Sequence, residues 1–268
     1  MTSIDLAVVG AGNMGGAILA GLRKGETRRL AIVEPNEAQA ARVTEEYGVR
    51  AVTLTEAVRA RVLVITVKPH LVPGLLEDLA ATGRTPELVI TAAGGVTTER
   101  VEAALGSDVA VVRCMPNTAV AIGQGVIAIS PGLSATPKHL AEVTELFAPL
   151  GQVIELPEAQ LDAVTALSGS GPAYFCLLAE ALIDAAVLLG IPRPAAETLV
   201  TQTAAGAGLM LRDLGKDPVA LRAAVTSPGG VTIAAIHELE RNAFRGAVMS
   251  AALAGRDRST ELGQQAST

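Results

Sequence analysis

A short apolar run that ends abruptly on spaced glycines constrains this chain more than any other stretch. Ile4-Asp5-Leu6-Ala7-Val8-Val9 reads as a strand, Gly10-Ala11-Gly12-Asn13-Met14-Gly15-Gly16 as a turn, and Ala17 to about Lys24 as a helix. G-x-G-x-x-G alone is a common pattern. Between a strand and a helix it describes the phosphate turn of a dinucleotide-binding βαβ unit. Gly10 permits the tight turn, Gly12 lets a pyrophosphate approach the backbone, and Gly15 allows helix and strand to pack closely. The helix start presents unpaired amides and the positive end of its dipole to the phosphates.

Strand–helix alternation continues from there. Leu30-Ala31-Ile32-Val33 is a second strand ending at Glu34, where an acid holds adenosine ribose hydroxyls and disfavours a 2′-phosphate. The plainer alternative for Glu34 is a solvated strand-end carboxylate. Arg42 is too distant in sequence to argue for NADP, so the preference leans to NADH. A helix from Asn36 to Tyr47 follows. Val62 to Val67 and Leu88 to Ala93 then read as fully buried parallel strands, and Val109 to Arg113 as another. Their following loops are Lys68-Pro69, Gly94-Gly95 and Cys114-Met115-Pro116-Asn117. With the glycine turn, all fall on the carboxyl edge of the sheet, where doubly wound folds bind ligands. Taken singly, Lys68 is equally a surface cation and Asn117 a turn former. One more strand–helix–strand unit runs through Gly125–Ile129, Pro137–Ala148 and Gln152–Leu156.

The composition changes near Leu156-Pro157, and beyond it the chain reads as helical to about Ala254. The expected division is an α/β dinucleotide-binding domain at 1–157, with a doubly wound parallel sheet, an all-α domain at 158–256, and a frayed polar tail at 257–268. Ser168-Gly169-Ser170-Gly171-Pro172-Ala173-Tyr174 interrupts a helix and reopens one, with Pro172 suited to its start. It is not a nucleophile elbow, because Ser168 stands where that motif needs glycine. Thr226-Ser227-Pro228-Gly229-Gly230-Val231-Thr232 lies between two helical segments. Ser227 can cap there, Pro228 suits the first helical position, and the glycines leave amides bare for an anion.

Composition removes several function classes. Half the residues are apolar and 18% charged, a rich apolar content that points to an extensive subunit interface. Net charge is −6, with three Phe, two Tyr and no Trp, so neither a basic stripe nor a stacking platform for nucleic acid exists. The apolar run Ala173–Ile191 contains Glu180 and Asp184, which favours a buried or interfacial helix over a membrane span. His70, His139 and His237 are scattered, and no Cys/His spacing suits a metal. Cys114 and Cys176 read as buried, reduced thiols, and Met1-Thr2-Ser3 runs straight into a strand pattern without a leader. The expectation is a cytoplasmic protein whose chemistry comes from a bound dinucleotide.

The order of Gly10–Gly15, Val67-Lys68-Pro69, Met115-Pro116-Asn117, the Ser168–Tyr174 loop and Thr226–Gly230 resembles the pyrroline-5-carboxylate reductase family over essentially the whole chain. The resemblance implies a Rossmann-type domain and a helical domain that interlocks with a second subunit's, giving dimers that in such enzymes assemble further, commonly into decamers. It implies reduction of 1-pyrroline-5-carboxylate to L-proline by NADPH or NADH, the last step of proline biosynthesis. By the family pattern Gly10, Ala11, Gly12, Asn13, Met14 and Gly15, then Thr66, Val67, Lys68 and Pro69, and Ala92, Ala93 and Gly94 line the cofactor. Met115, Pro116 and Asn117 lie beside the nicotinamide. Gly229, Gly230 and Val231 bind the substrate carboxylate, Thr232 hydrogen-bonds the ring nitrogen, and Ser168, Ser170 and Tyr174 shape the pocket. Three departures stand out: Val231 replaces a Thr, Glu34 replaces a small polar or basic residue, and Thr53 or Thr55 takes the place of a cofactor-touching Asn. Rivals are another Rossmann reductase, of 3-hydroxyacid dehydrogenase or deazaflavin-dependent type, and a non-catalytic dinucleotide sensor.

Overall fold

The structure, a computed structural model, describes residues 4–23 and 28–265. The opening Met1-Thr2-Ser3, Lys24 at the end of the first expected helix, and the last residues of the tail lie outside them. The elements run β1 (Leu6–Val9), α1 (Asn13–Leu22), β2 (Leu30–Val33), α2 (Glu37–Tyr47), β3 (Arg50–Ala51), α3 (Leu54–Ala57), β4 (Val62–Ile65), α4 (Val72–Ala81), β5 (Leu88–Thr91) and α5 (Thr98–Leu105). Then come β6 (Ala110–Pro116), β7 (Gly125–Pro131), α6 (Pro137–Phe147), β8 (Gly151–Glu155) and α7 (Leu161–Val164). The last five are α8 (Gly171–Leu188), α9 (Arg193–Asp213), α10 (Pro218–Ala224), α11 (Val231–Arg241) and α12 (Phe244–Gln265). The chain forms two compact units. One comprises the residues up to Ser170 with those from Leu253 onward, the other Gly171–Ala252.

Unit 1 is an eight-stranded sheet in the order β3-β2-β1-β4-β5-β6-β7-β8. Strand direction alternates side chains between faces, and the short apolar strands use both. Leu6, Val8, Val62, Val64, Leu88 and Ile90 join one buried cluster, packed by Ile18 and Leu19 of α1 and Phe147 of α6. Ala7, Val9, Leu63, Ile65 and Val89 face the other cluster, with Leu76 and Leu79 of α4. Strand order reverses between β1 and β4, which pair Val9 with Ile65, and this opens the crevice at their carboxyl ends.

The sheet is mostly parallel, with one departure. β7 pairs antiparallel with β6, Met115 opposite Ala128 and Pro116 opposite Ile127. Only residues 117–124 connect the two strands, too few for a parallel crossover. That pairing lengthens β6 beyond the expected Arg113, so Cys114, Met115 and Pro116 are strand rather than loop. The parallel partner β5 stops opposite Arg113, which leaves proline tolerable at 116.

Two boundaries also move. Residues 158–170 stay with the sheet, because Leu161 packs with Met115 and Ala128, and Arg113, only 4% exposed, faces Glu158 and Asp162. Glu158 in turn accepts from the Thr98 amide (2.9 Å) and hydroxyl (2.8 Å) at the start of α5. The tail is not frayed through Gln265. It forms the end of α12, where Ser259 and Thr260 hydroxyls donate to Asp162 at 2.9 and 3.0 Å. Gly263 there meets Gly95 backbone to backbone. The polar composition that suggested a loose tail is what makes the docking bonds.

Unit 2 is helical and has almost no interior of its own. Among its described residues only Gly171, Ala196 and Leu221 are buried. Phe175 (71% exposed), Leu177 (66%) and Met249 (62%) present large apolar side chains, and Cys176, expected to be buried, is exposed beside them.

Gly95 has φ 74, and a Cβ there would stand 2.8 Å from the Gly263 amide nitrogen. Gly95→Ala should cost at least about 1 kcal/mol from the left-handed backbone alone. Hydrogen exchange over residues 259–265 should quicken, and unchanged protection would show that this contact does not hold the end of α12.

Candidate functional site

The glycine turn is shaped by contacts with β4. Gly10 has φ 93, and a Cβ on it would approach Val67 Cγ1 to 2.9 Å. A Cβ on Gly15 would land on the Gly10 carbonyl oxygen and 2.7 Å from Thr66 Oγ1. Thr66 Oγ1 itself donates to the carbonyls of Gly10 (2.5 Å) and Val9 (3.1 Å). Gly12, the N-cap of α1, faces open space where a Cβ would sit. The amides of Gly12, Asn13, Met14 and Gly15 are the group a helix cannot satisfy from within. An open cradle of backbone donors at a helix start suits a pyrophosphate, so the residues present fit a dinucleotide.

Glu34 does more than end a strand. Its carboxylate accepts from the Ala11 amide at 2.9 Å and from the Asn36 amide at 3.0 Å, fastening the glycine turn to β2. Gln39 adds a second tie, its Nε2 donating to the Ala11 carbonyl at 2.6 Å. No motif flags Gln39; its place one turn into α2 is the only hint. Thr53, proposed to stand in for an Asn, instead caps α3: its hydroxyl and amide both engage Glu56. Thr55 is exposed.

The other expected cofactor residues gather at the same carboxyl edge. Thr66 and Val67 follow β4 and are half-buried, with exposed Lys68 leading into a short turn from Pro69. Ala92, Ala93 and Gly94 follow β5, half-buried, buried and half-buried in turn. Met115 and Pro116 end β6, and Asn117, 9% exposed, accepts from the Val126 amide at 3.4 Å. Burial pushes the neighbouring Cys114 thiol up to about 12, so it stays protonated and is no nucleophile.

The Ser-Gly-Ser-Gly stretch does not break the helix as expected. The Ser170 amide donates to the Thr165 carbonyl at 2.9 Å, an i→i+5 bond that carries the chain through a π turn into α8. Ser168 Oγ donates back to the Val164 carbonyl at 3.1 Å.

The late glycine motif also differs from the expectation. Ser227 does not cap α11, and Pro228 is not its first residue. Ser227-Pro228-Gly229-Gly230 forms a turn closed by the Gly230 amide donating to the Ser227 carbonyl at 3.1 Å, with Gly229 at φ 65. Proline second and a positive-φ glycine third is the chemistry of a tight turn. The Gly230 amide is therefore occupied, and α11 begins at Val231 with Gly230 as N-cap. The unpaired amides are those of Val231, Thr232 and Ile233, two residues later than the sequence suggested. A Cβ on Gly230 would displace the Ser227 hydroxyl, whereas the position that favours glycine by its backbone is Gly229. Beside it lies a cavity of about 530 Å³ lined by Gly229, Gly230, Arg222, Ile233, His237 and Glu240. Arg222 and His237 were not anticipated as site residues; His237 follows Ile233 by one helical turn.

Comparison with known proteins now decides the family. Residues 158–262 match the family model "Pyrroline-5-carboxylate reductase dimerisation", and residues 5–95 match "NADP oxidoreductase coenzyme F420-dependent". The pyrroline-5-carboxylate reductase of Mycobacterium tuberculosis is 41% identical, over 96% of this chain and 96% of its own. The chain belongs to the pyrroline-5-carboxylate reductase family. The Arabidopsis thaliana reductase is 36% identical over 98% of this chain and 96% of its own. Among solved structures, the Coxiella burnetii reductase superposes with TM-score 0.88 at 33% identity, covering 97% of this chain and 99% of its own. The F420-dependent model covers only the dinucleotide half, which many reductases share. The full-length relatives leave the rival Rossmann reductases unsupported.

Because Gly15 has no room for a side chain, Gly15→Ala should weaken NAD(P)H binding at least roughly tenfold, since close positioning at the turn carries the affinity. Fluorescence titration of the cofactor checks this; an unchanged dissociation constant would remove the turn from the binding site.

Proposed function

We propose that this chain works as a pyrroline-5-carboxylate reductase, reducing 1-pyrroline-5-carboxylate to L-proline with NAD(P)H. Unit 1 holds the NAD(P)H, through the amides of Gly12 to Gly15 and the residues that follow β4, β5 and β6. When bound, the nicotinamide supplies a hydride for the C=N bond of the substrate. Unit 2 supplies the anion site: the first-turn amides of Val231, Thr232 and Ile233, with the positive end of the α11 dipole, hold the substrate carboxylate. Gly229 and Gly230 serve by forming the turn rather than by donating. The Thr232 hydroxyl hydrogen-bonds the ring nitrogen and keeps its proton in place while the neighbouring carbon is reduced. Ser168 and Ser170 shape the pocket from the π turn.

The observation that carries this reading is the presence in one chain of two helix starts with unpaired amides. One has a glycine cradle that fits a pyrophosphate; the other follows a glycine-dependent turn and bears a hydroxyl at its second residue. Val231 costs the second site no donor. Its side chain is 88% exposed, and only its amide is used.

The uncovered helices of unit 2 fit a homodimer, and further assembly into a decamer is the family's pattern. The stretch Glu158–Leu188 is long and apolar enough to cross a membrane by length and composition. Glu180 and Asp184 within it, and the Asp184–Arg193 ion pair at 2.6 Å, favour a subunit interface instead. Free Cys114 and Cys176 and a soluble cofactor support the reading of a cytoplasmic location.

Addition of 1-pyrroline-5-carboxylate should start NAD(P)H oxidation, while 2-hydroxy and 3-hydroxy acids should leave the cofactor unchanged. Thr232→Ala should lower kcat/KM roughly ten- to a hundredfold, the worth of a hydrogen bond to a charged group. Wild-type kinetics in that variant would take Thr232 out of the mechanism. Glu34 should favour NADH. Replacing it by Ser should raise the NADPH-to-NADH ratio of kcat/KM, and an unaltered ratio would assign Glu34 to fastening the turn alone.

A further inference from the structure

One buried charge in unit 1 belongs neither to the glycine cradle nor to the start of α11. Arg113 is 4% exposed, and its guanidinium lies against two carboxylates. Its Nη1 is 3.3 Å from Glu158 Oε1, and its Nη2 is 3.7 Å from Asp162 Oδ1. Among the described residues, Nε and Nη2 make no hydrogen bond. Charge therefore holds this guanidinium more than hydrogen-bond geometry does. Taking it out of water costs free energy that an apolar side chain of similar volume would not lose. Stability alone gives no reason for a cation at 113. Its place in the sheet does.

β5 pairs with β6 only as far as Thr91 opposite Arg113. Beyond that residue β6 has β7 alone beside it, so Cys114, Met115 and Pro116 run along the crevice braced from one side. Arg113 and Met115, two apart on a strand, face the same side of the sheet. The segment that answers Arg113 also supports Met115. Leu161 packs against it, and a Cβ on Gly169 would stand 3.9 Å from Met115 Sδ. Residues 158–170 thus carry the two carboxylates, the floor under Met115, and Ser168 and Ser170.

Both carboxylates have a second hold close to the cofactor loop that follows β5. Glu158 accepts from the Thr98 amide and hydroxyl at the start of α5. Asp162 accepts from Ser259 and Thr260 of α12, whose Gly263 abuts Gly95. The guanidinium ties the end of β6 to that assembly. Two fixed carboxylates give a cation one preferred position, which an apolar contact would not.

We propose that Arg113 is a positioning residue. It fixes the end of β6, and with it Met115 and Pro116 beside the nicotinamide, against the turn that carries Ser168 and Ser170. This rests on the reductase reading above, in which those residues flank cofactor and substrate. Reactions between two held partners are sensitive to placement: an error of about 1 Å costs on the order of a hundredfold in rate. Cofactor affinity resides in the glycine cradle, so losing Arg113 slows turnover without loosening NADH.

The test is steady-state kinetics of the full-length protein with 1-pyrroline-5-carboxylate, with kcat expressed per NADH site titrated by fluorescence. Arg113→Met should lower kcat per site at least roughly tenfold. Its NADH dissociation constant should stay within about twofold of wild type. Partial unfolding would remove sites, not turnover per site. Arg113→Lys, which keeps the charge without the planar fork, should recover part of the loss. If Arg113→Met does not fold by circular dichroism, Arg113→Lys and Glu158→Gln replace it, each with lowered kcat per site and wild-type NADH affinity. Arg61→Met is the control, because Arg61 pairs with Glu142 at the amino end of β4. It should keep wild-type kcat per site. Unchanged kcat per site in the Arg113 variants, an equal loss of NADH affinity, or an equal fall in Arg61→Met would overturn the proposal. A wild type that does not reduce 1-pyrroline-5-carboxylate would overturn the reductase reading, and this proposal with it.

Discussion

The governing constraint on this molecule is that residues 171–252 cannot bury their apolar side chains within one chain. Each large aliphatic or aromatic side chain gains about 1.5–3 kcal/mol on full burial. Phe175, Leu177, Leu182, Val248 and Met249 gain little of it alone. Helices of this kind become stable by packing on others, not by propensity. An interface between copies is therefore the missing core of unit 2. The stability of α11, and with it the helix start at Val231–Ile233, depends on that association. The chain's family, whose matching model is a dimerisation domain, accords with this physical reading.

Unit 1 meets the opposite condition. Its central strands are buried on both faces, and the reversal of strand order between β1 and β4 forces a crevice at their carboxyl ends. There the tolerances are backbone tolerances. Gly10 and Gly15 are pressed against Val67 and Thr66, so the turn holds one shape before any ligand arrives. Glu34 and Gln39 pin Ala11 from the next βα unit. Such a cradle gives up little conformational freedom on binding, which is how a preorganised site converts contacts into affinity.

How much was legible beforehand follows from the range of the forces involved. The parallel strands announced themselves, because Val62–Ile65 and Leu88–Thr91 are continuous apolar runs that only a doubly covered sheet explains. The glycine turn was legible from spacing alone. Contacts between distant segments were not. The docking of Ser259 and Thr260 on Asp162 hides in a polar tail, and the Arg113 network hides in a strand end. The β7-α6-β8 unit is parallel as its alternating pattern reads, while the antiparallel turn from β6 to β7 lay only in the short connection at 117–124. At Ser227–Gly230 the residues fit a helix cap or a tight turn equally well by type. The Gly230 amide chose the turn, shifting the free donors two residues onward.

The central claim is that the helical half is completed by a second copy of the chain. Sedimentation equilibrium over a dilution series, read together with far-ultraviolet circular dichroism on the same samples, tests it most directly. The account predicts that helical signal and association are lost together as the concentration falls. A monomer that retains full helicity at the lowest concentration would contradict it.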